Sequence, residues 1–271
     1  MADMKIGVVG AGGRMGGAVV RQVTETDGCA VFAACDRLGT PAIGRDAGEV
    51  AGIDALGVEI GSDPAALFGV VDAVIEFSAP DSTTENAERA ASAGCIHVIG
   101  TTGLTADQEL VLQKAGEKTA IVYAPNMSLA VNILFALTRQ VAAMLDDDFD
   151  IEIVEMHHRH KVDAPSGTAL GLGRAAAEGR DVSFEDRAVL SREGQTGARR
   201  RGDIGFATLR GGDVTGDHSV IFAADGERLE LAHKASSRQI FSRGAVRGAL
   251  WARDKTPGLY TMADVLGLPK G

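Results

Sequence analysis

The chain has 271 residues, a formal net charge of −10 and a sequence pI near 5.1. This acidic balance argues against nucleic acid or an anionic membrane as a partner of the general surface, so local basic clusters are expected to bind small anions. The three cysteines are too few and scattered for a disulfide framework or a zinc site, and indicate buried thiols in a reducing compartment. With no signal-peptide pattern and no long apolar run, we expect a cytoplasmic protein without a membrane span.

The first 125 residues alternate short apolar runs with helical segments. The predicted strands are Lys5–Val9, Cys29–Ala34, Val71–Phe77, Ile96–Ile99 and Ala120–Ala124, and the predicted helices are Arg14–Thr24, Ser82–Ala93 and Thr105–Lys118. The strands are apolar almost throughout, as parallel strands covered on both faces are. The last helix opens with the capping box Thr105-Ala-Asp-Gln108. This alternation predicts a doubly wound α/β sheet.

The pattern changes after Pro125. Helices are predicted over Leu129–Leu145, Thr168–Glu178 and Ser237–Ala252, and strands over Ile151–Met156, Gly205–Arg210, His218–Ala224 and Arg228–His233. The pair Asp225-Gly226 indicates a hairpin turn between the last two strands. Strands without helices between them predict an antiparallel or mixed sheet. The polar, Arg-rich segment 191–203 is predicted to be a mobile loop.

A glycine-rich turn follows the first predicted strand and opens the first helix. It reads Gly10-Ala11-Gly12-Gly13-Arg14-Met15-Gly16. Backbone N–H groups of such a turn can approach a pyrophosphate at the helix N-terminus. Met15 stands where the strict dinucleotide pattern has its last glycine, so a ligand-free βα turn remains an alternative at this point.

Other strand ends support a dinucleotide site. The second strand is followed by Asp36 and Arg37, an acid suited to the adenosine ribose and a base suited to a 2′-phosphate, although a solvated strand end would look the same. Two more loops follow later strands at the edge where open α/β sheets bind ligands. They are Gly100-Thr101-Thr102-Gly103 and Ala124-Pro125-Asn126-Met127.

A second cluster occupies residues 155–168, with three histidines, a lysine and an arginine within five positions. Strand alternation places His158 and His160 on one side and His157 with Arg159 on the other. His157 and Lys161 would converge if the chain curls there. Beyond them, Ser166 is suited to cap a helix whose Gly167 and Thr168 N–H groups would face an anion. These groups suit a site that protonates a substrate and binds its carboxylate.

Three other interpretations of this cluster stay open. The histidines could bind a metal with Glu155 and Asp163, but adjacent histidines chelate poorly and no helical i, i+4 spacing occurs, so we predict no metal. Any single histidine, His160 in particular, could be structural. The Ser-Gly-Thr turn could serve only as a helix cap.

Together these segments resemble the 4-hydroxy-tetrahydrodipicolinate reductase (dihydrodipicolinate reductase) family of lysine and diaminopimelate biosynthesis. The resemblance covers nearly the whole chain. It is carried by Glu155-x-His-His-Arg-His-Lys-x-Asp-Ala-Pro-Ser-Gly-Thr-Ala169, Gly10–Gly16, Gly100-Thr-Thr-Gly103, Ser191-Arg-Glu-Gly194, Ile204-Gly-Phe-Ala-Thr208 and His233-Lys-Ala-Ser-Ser237.

The resemblance implies a fold and an assembly. It implies a Rossmann-like, doubly wound parallel-sheet domain over 1–127, completed by a C-terminal return over 239–271. An α+β domain with a mixed sheet would occupy 128–238, bind substrate and build a homotetramer. The reaction would be NADH- or NADPH-dependent reduction of a cyclic dicarboxylate.

The resemblance also implies residue roles. His157 would act as proton donor and acceptor, and Lys161 as proton donor. Substrate would contact His158, Gly167 and Thr168, and we expect Ser166, in the same turn as the last two, to contact it as well. Cofactor would contact Gly10, Ala11, Gly12, Gly13, Arg14, Met15, Asp36, Arg37, Gly100, Thr101, Thr102, Ala124, Pro125, Asn126 and Met127.

Two positions depart from the family pattern: Asp36 replaces the glutamate of many relatives, and Ala79 replaces an arginine found in some. The shorter acid leaves the balance between NADH and NADPH open, and the absence of an arginine at position 79 would weaken the contact with a 2′-phosphate. The alternatives are another NAD(P)-dependent imino-acid or semialdehyde reductase, which would not need the 157–168 cluster, and a nucleotide-sensing regulator without catalysis. Intact His157 and Lys161 argue against the regulator.

Overall fold

A computed structural model describes residues 3–269, in which the chain forms two compact units. Unit one comprises residues 3–129 and 238–269, and unit two comprises residues 130–237. Residues 1, 2, 270 and 271, at the ends of the predicted nucleotide-binding domain, lie outside the described residues.

Unit one alternates strands and helices along most of its length. Its elements are β1 (Met4–Val9), α1 (Arg14–Thr24), β2 (Cys29–Cys35), α2 (Ala47–Ala51), β3 (Ile60–Gly61), α3 (Pro64–Phe68), β4 (Ala73–Glu76), α4 (Pro80–Ala93), β5 (Ile96–Ile99), α5 (Ala106–Gly116), β6 (Ala120–Tyr123), α9 (Gln239–Ala252), β12 (Gly258–Tyr260) and α10 (Met262–Leu266). The predicted capping box at Thr105 is present at the start of α5.

The seven strands of this unit form one parallel sheet in the order β12-β6-β5-β4-β1-β2-β3. The order reverses between β1 and β4, so the crevice expected to bind ligand lies at the carboxyl ends of these central strands. Apolar side chains from both faces of the sheet are buried, including Val8 and Ile75 on one face and Val9 and Val74 on the other. The predicted doubly wound parallel sheet is therefore confirmed.

The three cysteines all belong to this unit. Cys29, Cys35 and Cys95 are free and buried. Burial, followed by the charge of Glu76, raises the pKa of Cys35 to about 12, and burial, followed by Asp72, raises the pKa of Cys95 to about 12. These thiols therefore pack as small apolar side chains.

Unit two contains a helical layer and a second sheet. Its elements are α6 (Leu129–Met144), β7 (Asp150–His157), α7 (Gly167–Gly179), α8 (Phe184–Arg187), β8 (Ala188–Val189), β9 (Ile204–Arg210), β10 (Gly216–Ala224) and β11 (Glu227–Ala235). The first residue of α6, Leu129, belongs to unit one, and the rest of the helix belongs to unit two. The sheet order is β11-β10-β7-β9-β8. Strand β10 is antiparallel to both neighbours, whereas β7, β9 and β8 pair in parallel, so the predicted mixed sheet is confirmed.

The differences from the predicted elements are mostly short pieces. Helices α2, α3, α8 and α10 and strands β3, β8 and β12 span two to five residues each and carry too little periodicity to be recognised. Segment 191–203 lies outside the helices and strands, as predicted. Its Arg192 and Arg199, however, bind the Glu152 carboxylate of β7 at 2.8–3.0 Å, which restricts the predicted mobility.

Candidate active site and nucleotide-binding loops

The glycine-rich turn after β1 is packed so closely that side chains would not fit. A Cβ on Gly16 would lie 2.0 Å from the carbonyl oxygen of Gly10, and one on Gly12 would lie 2.5 Å from Cβ of Ala42. Gly16 thus provides the close helix–strand approach one position after Met15. Helix α1 begins at Arg14, and N–H groups of a first helical turn have no partner within the helix. This cradle fits the pyrophosphate of a dinucleotide.

The predicted ribose contact lies directly beside this turn. The Asp36 carboxylate accepts hydrogen bonds from the backbone N–H groups of Gly12 and Arg37, both at 2.7 Å. Arg37 is exposed at the carboxyl end of β2. The structure therefore brings Asp36 to the glycine-rich turn, as a dinucleotide site requires.

The loop after β5 lies against the end of β4. A Cβ on Gly100 would lie 2.1 Å from the Phe77 ring, so only glycine fits. The Thr101 side chain is buried, and its hydroxyl accepts from the Ser78 N–H (3.0 Å) and the Thr83 hydroxyl (2.8 Å). This hydroxyl therefore supports the loop, which leaves the Thr101 backbone as the part suited to cofactor.

The loop after β6 is also closely packed. The carbonyl oxygen of Met127 lies 1.7 Å from the place of a Cβ on Gly244, and the Asn126 side chain accepts from the Ser128 N–H at 2.9 Å. Because β5 and β6 are parallel neighbours, this loop and the loop after β5 lie at the same edge of the sheet.

A buried polar network lies below these loops, and sequence reasoning missed it. The Glu76 carboxylate accepts from Asn86 at 2.9 Å, contacts Nε2 of His97 at 2.8 Å and accepts from the Ser78 hydroxyl. Burial raises the pKa of Glu76, but hydrogen bonding and the charge of His97 outweigh burial and leave the pKa below its usual value. The sequence did carry a signal for this network, because Glu76 and His97 are polar residues within the otherwise apolar strands β4 and β5.

In unit two, His157 is the last residue of β7 and shares a buried face with Ile151, Ile153 and Glu155. Its Nδ1 lies 2.6 Å from Glu155 Oε2. Burial lowers the pKa of His157, the Glu155 carboxylate raises it, and the charges of Lys161 and Arg210 lower it, leaving it below its usual value. Lys161 is thus close enough for its charge to lower the pKa of His157. Strand β7 ends at His157, so the predicted strand alternation does not extend to His158, Arg159 and His160.

The Glu155 carboxylate has four donors. Besides His157, it accepts the Ser166 N–H at 2.9 Å and both terminal nitrogens of Arg210 at 2.9 and 3.0 Å. Burial raises the pKa of Glu155, but the hydrogen bonds from Arg210 and His157 lower it below its usual value. Neither Glu155 nor Arg210 was among the predicted site residues.

His218 adds a second buried imidazole beside this cluster. Its ring lies 5.0 Å from that of His157, edge to face, and its Nε2 lies 3.1 Å from Oγ of Ser166. Burial, followed by the charge of His157, lowers the pKa of His218 to about 4. His218 is therefore neutral at physiological pH. Ser166 also caps α7, as predicted, by accepting the Ala169 N–H.

The turn after β7 holds an ion pair between Lys161 and Asp163. Nζ of Lys161 lies 2.8 Å from Oδ1 of Asp163, and the Gly167 N–H at the start of α7 also donates to this carboxyl group. Burial raises the pKa of Asp163, but the hydrogen bond from Lys161 lowers it below its usual value. The Asp163 carboxylate thus contacts Lys161, a predicted catalytic residue, and Gly167, a predicted substrate-binding residue. His158 lies on the same turn, half-buried.

Comparison with known proteins matches both parts of the chain. Residues 4–127 match the model of the dihydrodipicolinate reductase N-terminus, and residues 130–266 match that of the C-terminus. The chain belongs to the dihydrodipicolinate reductase family. The family is NAD(P)H-dependent, and its N-terminal domain is the nucleotide-binding Rossmann domain, so the predicted oxidoreductase class and cofactors are confirmed.

Individual relatives agree with the family. The chain is 54% identical over 268 residues to 4-hydroxy-tetrahydrodipicolinate reductase of Rhodopseudomonas palustris (strain BisB18), covering 99% of each, and 56% identical over 261 residues to that of Ruegeria pomeroyi, covering 96% and 97%. A dihydrodipicolinate reductase from Paenisporosarcina sp. TG-14, solved with dipicolinate bound, shares the fold with a TM-score of 0.74 at 22% identity, covering 97% and 98%. The alternative reductase and regulator functions are not favoured.

Within residues 3–269, no group of three or more histidine, cysteine, aspartate or glutamate side chains is arranged to hold a metal ion. Nor does any helix in the same range have the length and apolar character needed to cross a membrane.

Proposed function

We propose that the protein reduces 4-hydroxy-tetrahydrodipicolinate to tetrahydrodipicolinate with NADH or NADPH, and that His157 and Lys161 supply the protons. The observation that carries this proposal is the buried Glu155–His157 contact beside the charge of Lys161. A bound nicotinamide supplies the hydride. Loss of water from the 4-hydroxy substrate would leave a conjugated C=C–C=N system. Hydride addition to that system builds negative charge that a positioned acid must neutralise. The proposed proton donors, His157 and Lys161, lie within five consecutive residues.

Substrate carboxylates are proposed to bind where the Asp163 carboxylate now lies, between Lys161 and the N-terminus of α7. A cation and a backbone N–H group already hold an anion there, and a substrate carboxylate offers the same chemistry. Gly167 and Thr168 would contribute backbone N–H groups, and His158 would contact the substrate from the same turn. Ser166 is proposed mainly to shape this turn, since Glu155, Ala169 and His218 already engage its polar atoms.

Cofactor is proposed to bind at the carboxyl edge of the parallel sheet. The pyrophosphate would lie over the turn of residues 10–15, and the adenosine ribose beside Asp36 and Arg37. The nicotinamide side would contact the loops 100–102 and 124–127. Supporting this placement are the closely packed glycines and the contact of Asp36 with the turn. The free, buried cysteines support a reducing location, for which we propose the cytoplasm.

Steady-state kinetics of His157→Ala and Lys161→Ala, with NADH and with NADPH, test the proposed roles. Each variant is expected to lose roughly 10²–10⁴-fold in kcat, the usual contribution of general acid catalysis. Lys161→Ala should also raise the substrate KM, because a hydrogen bond to a charged group contributes about 1.5–3 kcal/mol.

His160→Ala is the matched control, since His160 is exposed on the same turn. It should keep the wild-type kcat, and calorimetry should find similar NADH affinity in all three variants. Near-normal kcat in both His157→Ala and Lys161→Ala would make the cluster structural and the proposed mechanism wrong.

We also propose that the protein assembles as a homotetramer through the second sheet. The sheet face opposite His157 carries Val154, Met156, Leu209 and Ile221, and Leu209 is 49% exposed. A contiguous apolar patch on a sheet face is typical of an interaction surface. Light scattering is expected to give a mass near four chains of 28.1 kDa. A monomer at micromolar concentration would contradict this assembly.

A further inference from the structure

The Glu155 carboxylate is held in one orientation. Oε2 contacts His157 Nδ1 and Arg210 Nη1, whereas Oε1 accepts from the Ser166 N–H and Arg210 Nη2. The side chain is 1% exposed, and the arginine contact is bidentate. A carboxylate with this many donors has little freedom to turn away from His157.

This contact determines which nitrogen of His157 can exchange protons. An ionised carboxylate only accepts hydrogen bonds, so Nδ1 of His157 carries a proton and Nε2 is the exchanging atom. Nε2 lies 2.9 Å from the place that a Cβ on Gly216 would occupy. A glycine at this position therefore keeps space open next to Nε2.

We propose that Glu155 and Arg210 are the positioning residues of His157: Glu155 holds the proton on Nδ1 and directs Nε2 to the substrate, and Arg210 holds Glu155. This inference rests on the proposed role of His157 as the proton donor. It adds two residues from β7 and β9 that touch no reacting atom themselves. Their contribution is the orientation and the charge of the imidazole.

The charges around His157 give the two residues opposite effects. The groups that face His157 are Glu155 on β7, Lys161 on the following turn, Arg210 on β9 and the neutral His218 on β10. Glu155 stabilises the imidazolium, whereas Arg210 and Lys161 disfavour it. Loss of Glu155 should therefore lower the pKa of His157, and loss of Arg210 should raise it.

The pH dependence of kcat/KM distinguishes positioning from general support of the fold. The value of kcat/KM should fall with rising pH as His157 loses its proton. The pH at which this descending limb of the profile lies therefore reports the pKa of His157 in the free enzyme. For Glu155→Gln we expect the limb to move to lower pH by about 1 unit, with kcat reduced about 10-fold or more. For Arg210→Met we expect a move to higher pH.

Glu152→Gln is the matched control. Glu152 lies on the same strand and also binds two arginines, but it faces away from His157. Its variant should keep both the wild-type limb and the wild-type kcat. Opposite shifts in the two test variants support the inference, because a loss of folded protein reduces the rate without moving the limb. Unshifted limbs, or limbs shifted in the same direction, overturn it.

If a single variant fails to fold, the double variant Glu155→Gln/Arg210→Met tests the positioning role instead. Removal of both partners avoids an uncompensated buried charge. We expect the double variant to fold and still lose about 10-fold in kcat, since the proton on Nδ1 is no longer held. Near-normal kcat in the double variant, with His157→Ala inactive, overturns the inference alone. An active His157→Ala overturns the proposed function instead.

Discussion

The two units each contain a buried glutamate–histidine contact, and the surroundings of the two contacts differ. In unit one, Glu76 and His97 lie 2.8 Å apart with both side chains 0% exposed. In unit two, Glu155 and His157 lie 2.6 Å apart with the side chains 1% and 10% exposed. The same pair of residue types thus occurs once in a closed core and once at the edge of a core.

The two contacts differ in the other groups that surround the glutamate and the histidine. Glu76 is completed by the neutral Ser78 and Asn86, and the His97 ring packs edge-on against Phe68 at 5.7 Å. Glu155 is instead completed by the guanidinium of Arg210, and Gly216 has no side chain to press against Nε2 of His157. A carboxylate–imidazole contact therefore indicates proton chemistry only where the second ring nitrogen has access to a ligand.

The largest effect is expected from removing the closed contact. Glu76→Ala leaves His97, Asn86 and Ser78 without their acceptor and should lower the free energy of unfolding by roughly 3–5 kcal/mol. Urea unfolding measures this loss, and the exposed Glu88→Ala on α4 should stay within about 0.5 kcal/mol of wild type. A shifted pH limb of kcat/KM in Glu76→Ala would remove the distinction between the two contacts.

A smaller effect on stability, seen as a dependence on pH, is expected from His218, the neutral imidazole beside His157. The pKa of His218 is about 4 in the folded protein and near 6.5 when unfolded. Between these values the unfolded chain binds the additional proton, so stability falls as pH falls, by about 2 kcal/mol at pH 5. Urea unfolding of wild type and His218→Asn at pH 7 and pH 5 should show a smaller loss in the variant. Equal losses would show that His218 is not held neutral by the fold.

The sequence predicted the parallel sheet well because its strands are buried on both faces and read as continuous apolar runs. The glycine-rich turn and the acid at the end of β2 could likewise be predicted from the sequence, since a turn and a strand end are local features. Strand β12, which pairs with β6 at the edge of the sheet, and helix α10 were missed because they are only three and five residues long.

The site in unit two was only partly predictable. Glu155 lies two positions before His157, so alternation along β7 was enough to place both on one face. Arg210 and His218 come from neighbouring strands, where they pair in register with His157 and Glu155. A single sequence does not reveal the register of two strands separated by about 50 residues or more, because a shift by one residue would place these side chains on the opposite face.

The buried thiols make the nucleotide-binding unit observable on its own. A thiolate is the reactive form of cysteine, and burial keeps Cys35 and Cys95 protonated at neutral pH. All three cysteines belong to unit one, and residues 130–237 contain none. Alkylation of Cys35 and Cys95 by a thiol reagent is therefore expected only when unit one opens, and its rate reports the local opening of that unit without an introduced label.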